Sequence, residues 1–165
     1  MLQLLMLLLI IVGTYAALTL LSAIVPSVHL SPSLRGRMSL AVFFVFTGAS
    51  HFLMPQEMAQ MLPASMPLRV EIIYLTGVLE VLGAIGLLVP GLERLASVAL
   101  ILFLIGVLPA NVYAAINSVD FGAHALGAVY LLARVPFQLF VIGWAYYFGI
   151  KLHARQAQVS RSSVA

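Results

Sequence analysis

The stretch before Arg35 contains no Lys, Arg, Asp or Glu. Within it, residues 4–25 are almost wholly apolar, and roughly 20 such residues suffice to cross the hydrocarbon core of a bilayer. Further long apolar runs follow, so that 63% of the 165 residues are hydrophobic and 8% are charged. Soluble domains carry about 25% charged residues. So few charges cannot cover a water-facing surface. The expected solvent is lipid, and the expected fold is an all-α polytopic membrane protein.

Five spans are expected, at about 4–25, 38–54, 70–89, 95–116 and 128–150, forming one transmembrane domain over 1–150 with a polar cytoplasmic tail at 151–165. Prolines and Pro-Gly mark the breaks: Pro26 after the first run, Pro55 after the second and Pro90-Gly91 after the third. The first run lacks a basic leader and is too long for a secretory h-region, so it is expected to be retained as a span. Residues 55–69 combine Pro55, Pro63 and Pro67 with Met58, Met61 and Met66. Apolar but broken by proline, this segment suits a short interfacial helix or re-entrant piece, whose methionines could lie over a site as a lid.

Basic residues set the orientation. With five spans, Arg35, Arg37, Arg94, Lys151, Arg155 and Arg161 share one side, and Arg69 lies on the other. The positive-inside rule then places the N-terminus outside and the C-terminus in the cytoplasm. The eight Lys and Arg residues are scattered, with no basic stripe, which excludes a nucleic-acid surface. Cysteine is absent, which excludes thiolate chemistry and Cys metal sites by this chain alone. No His-x-x-x-His or Glu-x-x-His spacing occurs, so no metal site is expected.

An ionisable side chain deep in a span costs about 2.5–3.5 kcal/mol on insertion scales and needs a reason to be there. His51, Glu80 and Arg134 are such residues, and Asn111 and Gln138 are strong polar companions. Counting along the spans places His51 near the outer end of the second and Glu80 near the middle of the third. Asn111 falls in the outer half of the fourth. Arg134 and Gln138 fall in the outer part of the fifth, one turn apart on one face. Pro109 and Pro136 break the backbone ladder beside this layer. The expectation is one intramembrane polar pocket opening outward, with these five residues as its candidate ligand-binding groups. Spacing leaves alternatives open: a structural Glu80–Arg134 ion pair between the third and fifth spans, a hydrated His51 at the interface, and Asn111 serving the carbonyl freed by Pro109. Gly77, Gly83 and Gly86 read as close-packing positions. Tyr74, Tyr113, Tyr130, Tyr146 and Tyr147 read as interfacial belt residues, with Trp144 anchoring the inner half.

Several segments together resemble the DoxX-like family of small bacterial integral membrane proteins. They are Gly48-Ala-Ser-His51-Phe52, Gly77-Val-Leu-Glu80-Val-Leu-Gly83, Pro109-Ala-Asn111 and Arg134-Val-Pro136-Phe-Gln138. The resemblance runs over about 38–150 and is closest to an uncharacterised branch. It implies a four-helix transmembrane bundle, here with one extra N-terminal span, in the bacterial cytoplasmic (inner) membrane. It also implies an accessory role in a redox or respiratory system. Related redox branches use cysteines, which this chain lacks, and the resemblance gives no residue a catalytic role. The expected function is binding of a small amphiphile, a quinone or a lipid in the outward pocket, without stand-alone activity. Quinone is the one cofactor this allows. A membrane redox partner or a second copy of the chain are the partners it allows besides the bilayer. Two alternatives stand beside it: a membrane enzyme with His51 or Glu80 as acid or base, and a purely structural, partner-docking bundle.

Overall fold

The computed structural model describes residues 2–25 and 27–155; the rest of the expected tail, with Arg161, lies outside the described residues. The helices are α1 (Leu2–Ile24), α2 (Pro32–Leu53), the short α3 (Pro55–Ala59), α4 (Arg69–Leu88), α5 (Glu93–Ile116) and α6 (Leu131–Tyr146). A 3₁₀ turn, His124–Tyr130, leads into α6, and a π turn, Tyr147–Lys151, prolongs it. The helical path of α6 then continues to Arg155. Five of these segments are long and apolar enough to cross a membrane, and no strand occurs among the described residues.

Helices α2, α4, α5 and α6 close into a ring in which each packs on the next, most extensively α2 on α4. Helix α1 lies outside the ring against α2, touching α6 more lightly. It buries only Leu4, Leu7 and Ile11, whose spacing of three and four keeps them on one face. The outside of the bundle is apolar: Leu75, Leu79 and Leu82 of α4, Leu95 and Leu102 of α5, and Leu132 and Leu139 of α6 are all exposed. This is the expected four-helix bundle with one further N-terminal helix.

Small residues decide how closely α2 and α4 approach. A Cβ on Gly77 would lie 2.7 Å from the Cβ of His51 and 3.1 Å from the carbonyl oxygen of Gly48. A Cβ on Gly83 would collide with the side chain of Leu100, and one on Gly86 would sit 2.9 Å from that of Ala96. All three glycines are close-packing positions, as their sequence suggests.

The second helix begins six residues earlier than expected. Ser31 is its N-cap, accepting from the Leu34 N–H at 3.2 Å, and Pro32 occupies the first turn, where its missing N–H costs nothing. Arg35 and Arg37 are therefore helical rather than loop residues. Arg37 is buried: its Nη1 donates to the Leu87 carbonyl at 2.7 Å and lies 3.3 Å from Glu93 Oε1. The other Glu93 oxygen accepts from the Gly91 N–H at 2.8 Å, with His153 Nε2 3.9 Å away. One ion pair thus joins α2, the α4–α5 turn and the end of α6.

At the opposite end, α3 follows directly on α2, which matches the short helix expected after Pro55. The segment after α5 differs from the expected loop and span start. Gly122 and Gly127 take positive φ, at 59° and 70°, and the chain folds inward through the 3₁₀ turn before α6 begins. As a result Tyr130 is 2% exposed, a core residue rather than a belt residue. Trp144 donates from Nε1 to the Gly36 carbonyl at 3.1 Å and to Ser39 Oγ at 3.2 Å, fixing α6 to α2. Tyr74, Tyr146 and Tyr147 are exposed.

Candidate functional site

His51, Glu80, Asn111, Arg134 and Gln138 all line one cavity of about 490 Å³, within the roughly 300–1,000 Å³ usual for small-molecule sites. It lies inside the helical ring, toward the end carrying α3. Phe43, Phe44, Leu104, Phe137 and Val141 form its apolar depth, and Gln3, Met6 and Leu7 of α1 its side. Met54, Met58, Met61, Glu57, Asp120 and Phe121 gather at its mouth. The methionines therefore sit where a lid would, as their sequence allows.

His51 stands on the last turn of α2, where the Gly48–Gly77 approach brings its ring onto the α4 backbone. Its Nδ1 lies 3.0 Å from both the Ile73 carbonyl oxygen and Thr76 Oγ1, and the Thr76 hydroxyl itself donates to the Ile73 carbonyl at 2.8 Å. Its Nε2 lies 3.5 Å from Glu80 Oε1. Glu80, half-way along α4, is 7% exposed, and its Oε2 is buried with no protein partner among the described residues.

The other three residues form a second set across the cavity. Arg134 Nε donates to Asn111 Oδ1 at 3.0 Å, and the Asn111 amide donates to the Val107 carbonyl at 3.0 Å. The guanidinium carbon sits 5.9 Å above the Phe137 ring, a cation–π distance. Arg134 uses only Nε in protein hydrogen bonds among the described residues. Gln138 donates from Nε2 to the Leu104 carbonyl. That carbonyl is next to Ile105, which Pro109 deprives of its helical donor, so Gln138 clamps α6 to α5 at the proline break.

Two pairings that the sequence leaves open are not the ones found. Glu80 pairs with His51 and Arg134 with Asn111; no Glu80–Arg134 ion pair occurs among the described residues. Asn111 serves the Val107 carbonyl, not the one freed by Pro109. Nor is His51 simply hydrated at an interface: its side chain is 12% exposed, with Nδ1 hydrogen-bonded to α4 and Nε2 facing Glu80.

Two further residues of the site are not assigned to it by the sequence. His124 is 4% exposed, its Nδ1 2.9 Å from the Phe121 carbonyl and its ring edge-on to Tyr130 with centroids 4.8 Å apart. Both line the cavity. The glycines at 122 and 127 were the only sign that the chain turns inward there. Among the described residues no three His, Asp or Glu side chains converge as metal ligands would.

Comparison with known proteins adds one finding. Neither a curated protein nor a solved structure matches the chain. Residues 40–149 match the family described as Domain of unknown function (DUF8561). That span takes in α2 from its third turn, the whole of α4, α5 and α6, and all five expected site residues. The chain with this cavity therefore belongs to the DUF8561 family.

Proposed function

We propose that this is an integral membrane protein of the bacterial inner membrane, N-terminus outside and C-terminus in the cytoplasm. Its cavity binds a small amphiphile from the outer side. One observation carries the binding reading. A cavity with apolar depth has at its wall a guanidinium that spends only one of its three nitrogens on the protein. Sites for small molecules combine just these elements, an apolar lining and a few convergent polar groups. The orientation rests on the basic residues. Even with Arg37 set aside as an ion-pair partner, Arg35, Arg94, Lys151 and Arg155 gather at one end against Arg69 at the other. The DoxX-like resemblance of the motifs supports an accessory role beside a redox or respiratory partner, with a quinone among the ligands of the right shape.

The test is organic extraction and mass spectrometry of protein purified in mild detergent, comparing wild type with Val107→Phe, which fills the cavity. A small amphiphile held by wild type and lost from the folded variant is the expected result. Identical extracts from both would sink the reading.

The His51–Glu80 contact favours a second reading, a membrane enzyme using that pair as acid and base. It requires turnover of a bound amphiphile that disappears in both His51→Ala and Glu80→Gln.

A further inference from the structure

The polar groups that face the cavity narrow the ligand class, and the hydrogen-bond partners of His51 come first. A carbonyl oxygen has no hydrogen to give, and the Thr76 hydroxyl gives its own to the Ile73 carbonyl. The ring nitrogen 3.0 Å from that carbonyl must therefore carry a hydrogen, which fixes His51 Nδ1 as N–H. In a neutral imidazole, Nε2 would then be a bare lone pair. It faces a carboxyl oxygen of Glu80 at 3.5 Å. The contact is longer than a hydrogen bond and becomes an ion pair when the ring is protonated.

Arg134 has no counter-ion in direct contact among the described residues. Arginine stays protonated in proteins, and among the described residues no carboxylate lies within 4 Å of it. Its one protein acceptor is a neutral amide. Glu80, the carboxyl group deep in the same cavity, faces His51 instead. Glu57 and Asp120 are exposed at the mouth, where water solvates them. A guanidinium drawn away from water without a counter-charge is costly.

We propose, on the reading of this cavity as an amphiphile site, that its ligand is an amphiphile with a single oxyanion head, a carboxylate or a phosphate. The head sits on the terminal nitrogens of Arg134, which present the parallel N–H fork that such groups accept. The tail runs along Phe43, Leu104, Phe137 and Val141. His51 and Glu80 form another part of the same wall.

The experiment uses the whole chain in phosphatidylcholine nanodiscs and three twelve-carbon probes: dodecanoate, dodecyl phosphate and uncharged dodecanol. At least one anion should bind about tenfold or more tighter than dodecanol, as a charge-assisted hydrogen bond implies. Comparison of the two anions separates a fatty-acid source from a phosphate one. Arg134→Gln should level the anions with dodecanol, and Arg134→Lys, which keeps the charge, should retain the preference. The wild-type ranking alone decides the matter should Arg134→Gln not fold. Dodecanol binding as tightly as both anions overturns the inference and leaves the amphiphile reading standing. Binding of none of the three overturns both.

Discussion

Replacing Arg37 by Met should destabilise the bundle by about 3 kcal/mol, the lower end of the roughly 3–5 kcal/mol seen when one partner of a buried ion pair is removed. The side chains of Arg37 and Glu93 are 9% and 11% exposed, so solvent does little to screen the charge left behind. Met fills much of the aliphatic volume, which limits the packing loss. Glu93 keeps the Gly91 N–H at 2.8 Å, which sets the figure at the lower end. The Leu87 carbonyl loses its 2.7 Å donor, a loss of about 1 kcal/mol that belongs within the same total. For a chain of this length, 3 kcal/mol corresponds to a fall in Tm of roughly 6–12 °C. Thermal unfolding of the purified protein in detergent reads the effect. Adding Glu93→Gln should recover part of the loss, because it removes the stranded charge. The double variant should fall short of the summed single losses by about 1–3 kcal/mol. A single variant within about 0.5 kcal/mol of wild type, or additive single losses, would refute the assignment of this pair as a buried fastening.

Two glycine substitutions should move stability in opposite directions. Gly77→Ala should cost about 1–3 kcal/mol by overpacking the α2–α4 contact, since its Cβ would lie 2.7 Å from that of His51; an unfolding midpoint equal to that of wild type would contradict the close approach. Gly106→Ala should stabilise by up to about 1 kcal/mol, because the residue lies within α5 and its Cβ would meet nothing within 4 Å; a clear loss in the same melt would show an unseen neighbour at that face.

What the sequence reveals here is mostly axial. Hydrophobic runs give the number and length of helices, and counting residues along them gives depth. That is why His51, Glu80, Asn111, Arg134 and Gln138 fall in one layer on the sequence alone. Depth carries no information about rotation around each helix. Glu80 and Arg134 share a layer, yet Glu80 faces His51 and Arg134 faces Asn111. The α2 start is legible in the sequence: Ser31-Pro32 is a capping signature, and a helix begun there carries Arg37 within α2. His124 and Tyr130 were hidden for another reason. Their burial depends on a 3₁₀ turn and on Gly127 at a φ of 70°, and neither leaves a periodic trace.

The position of α1 bears on how a ligand could reach the cavity. Gln3, Met6 and Leu7 line its side, and the helix that carries them lies outside the 40–149 family match. The four-helix ring therefore does not close the chamber alone; α1, packed mainly on α2, completes it. Displacing the first turns of α1 would open the chamber sideways while leaving the ring and its polar residues in place. A tailed molecule could then slide in from the flank, without first passing the methionines and acidic residues at the mouth.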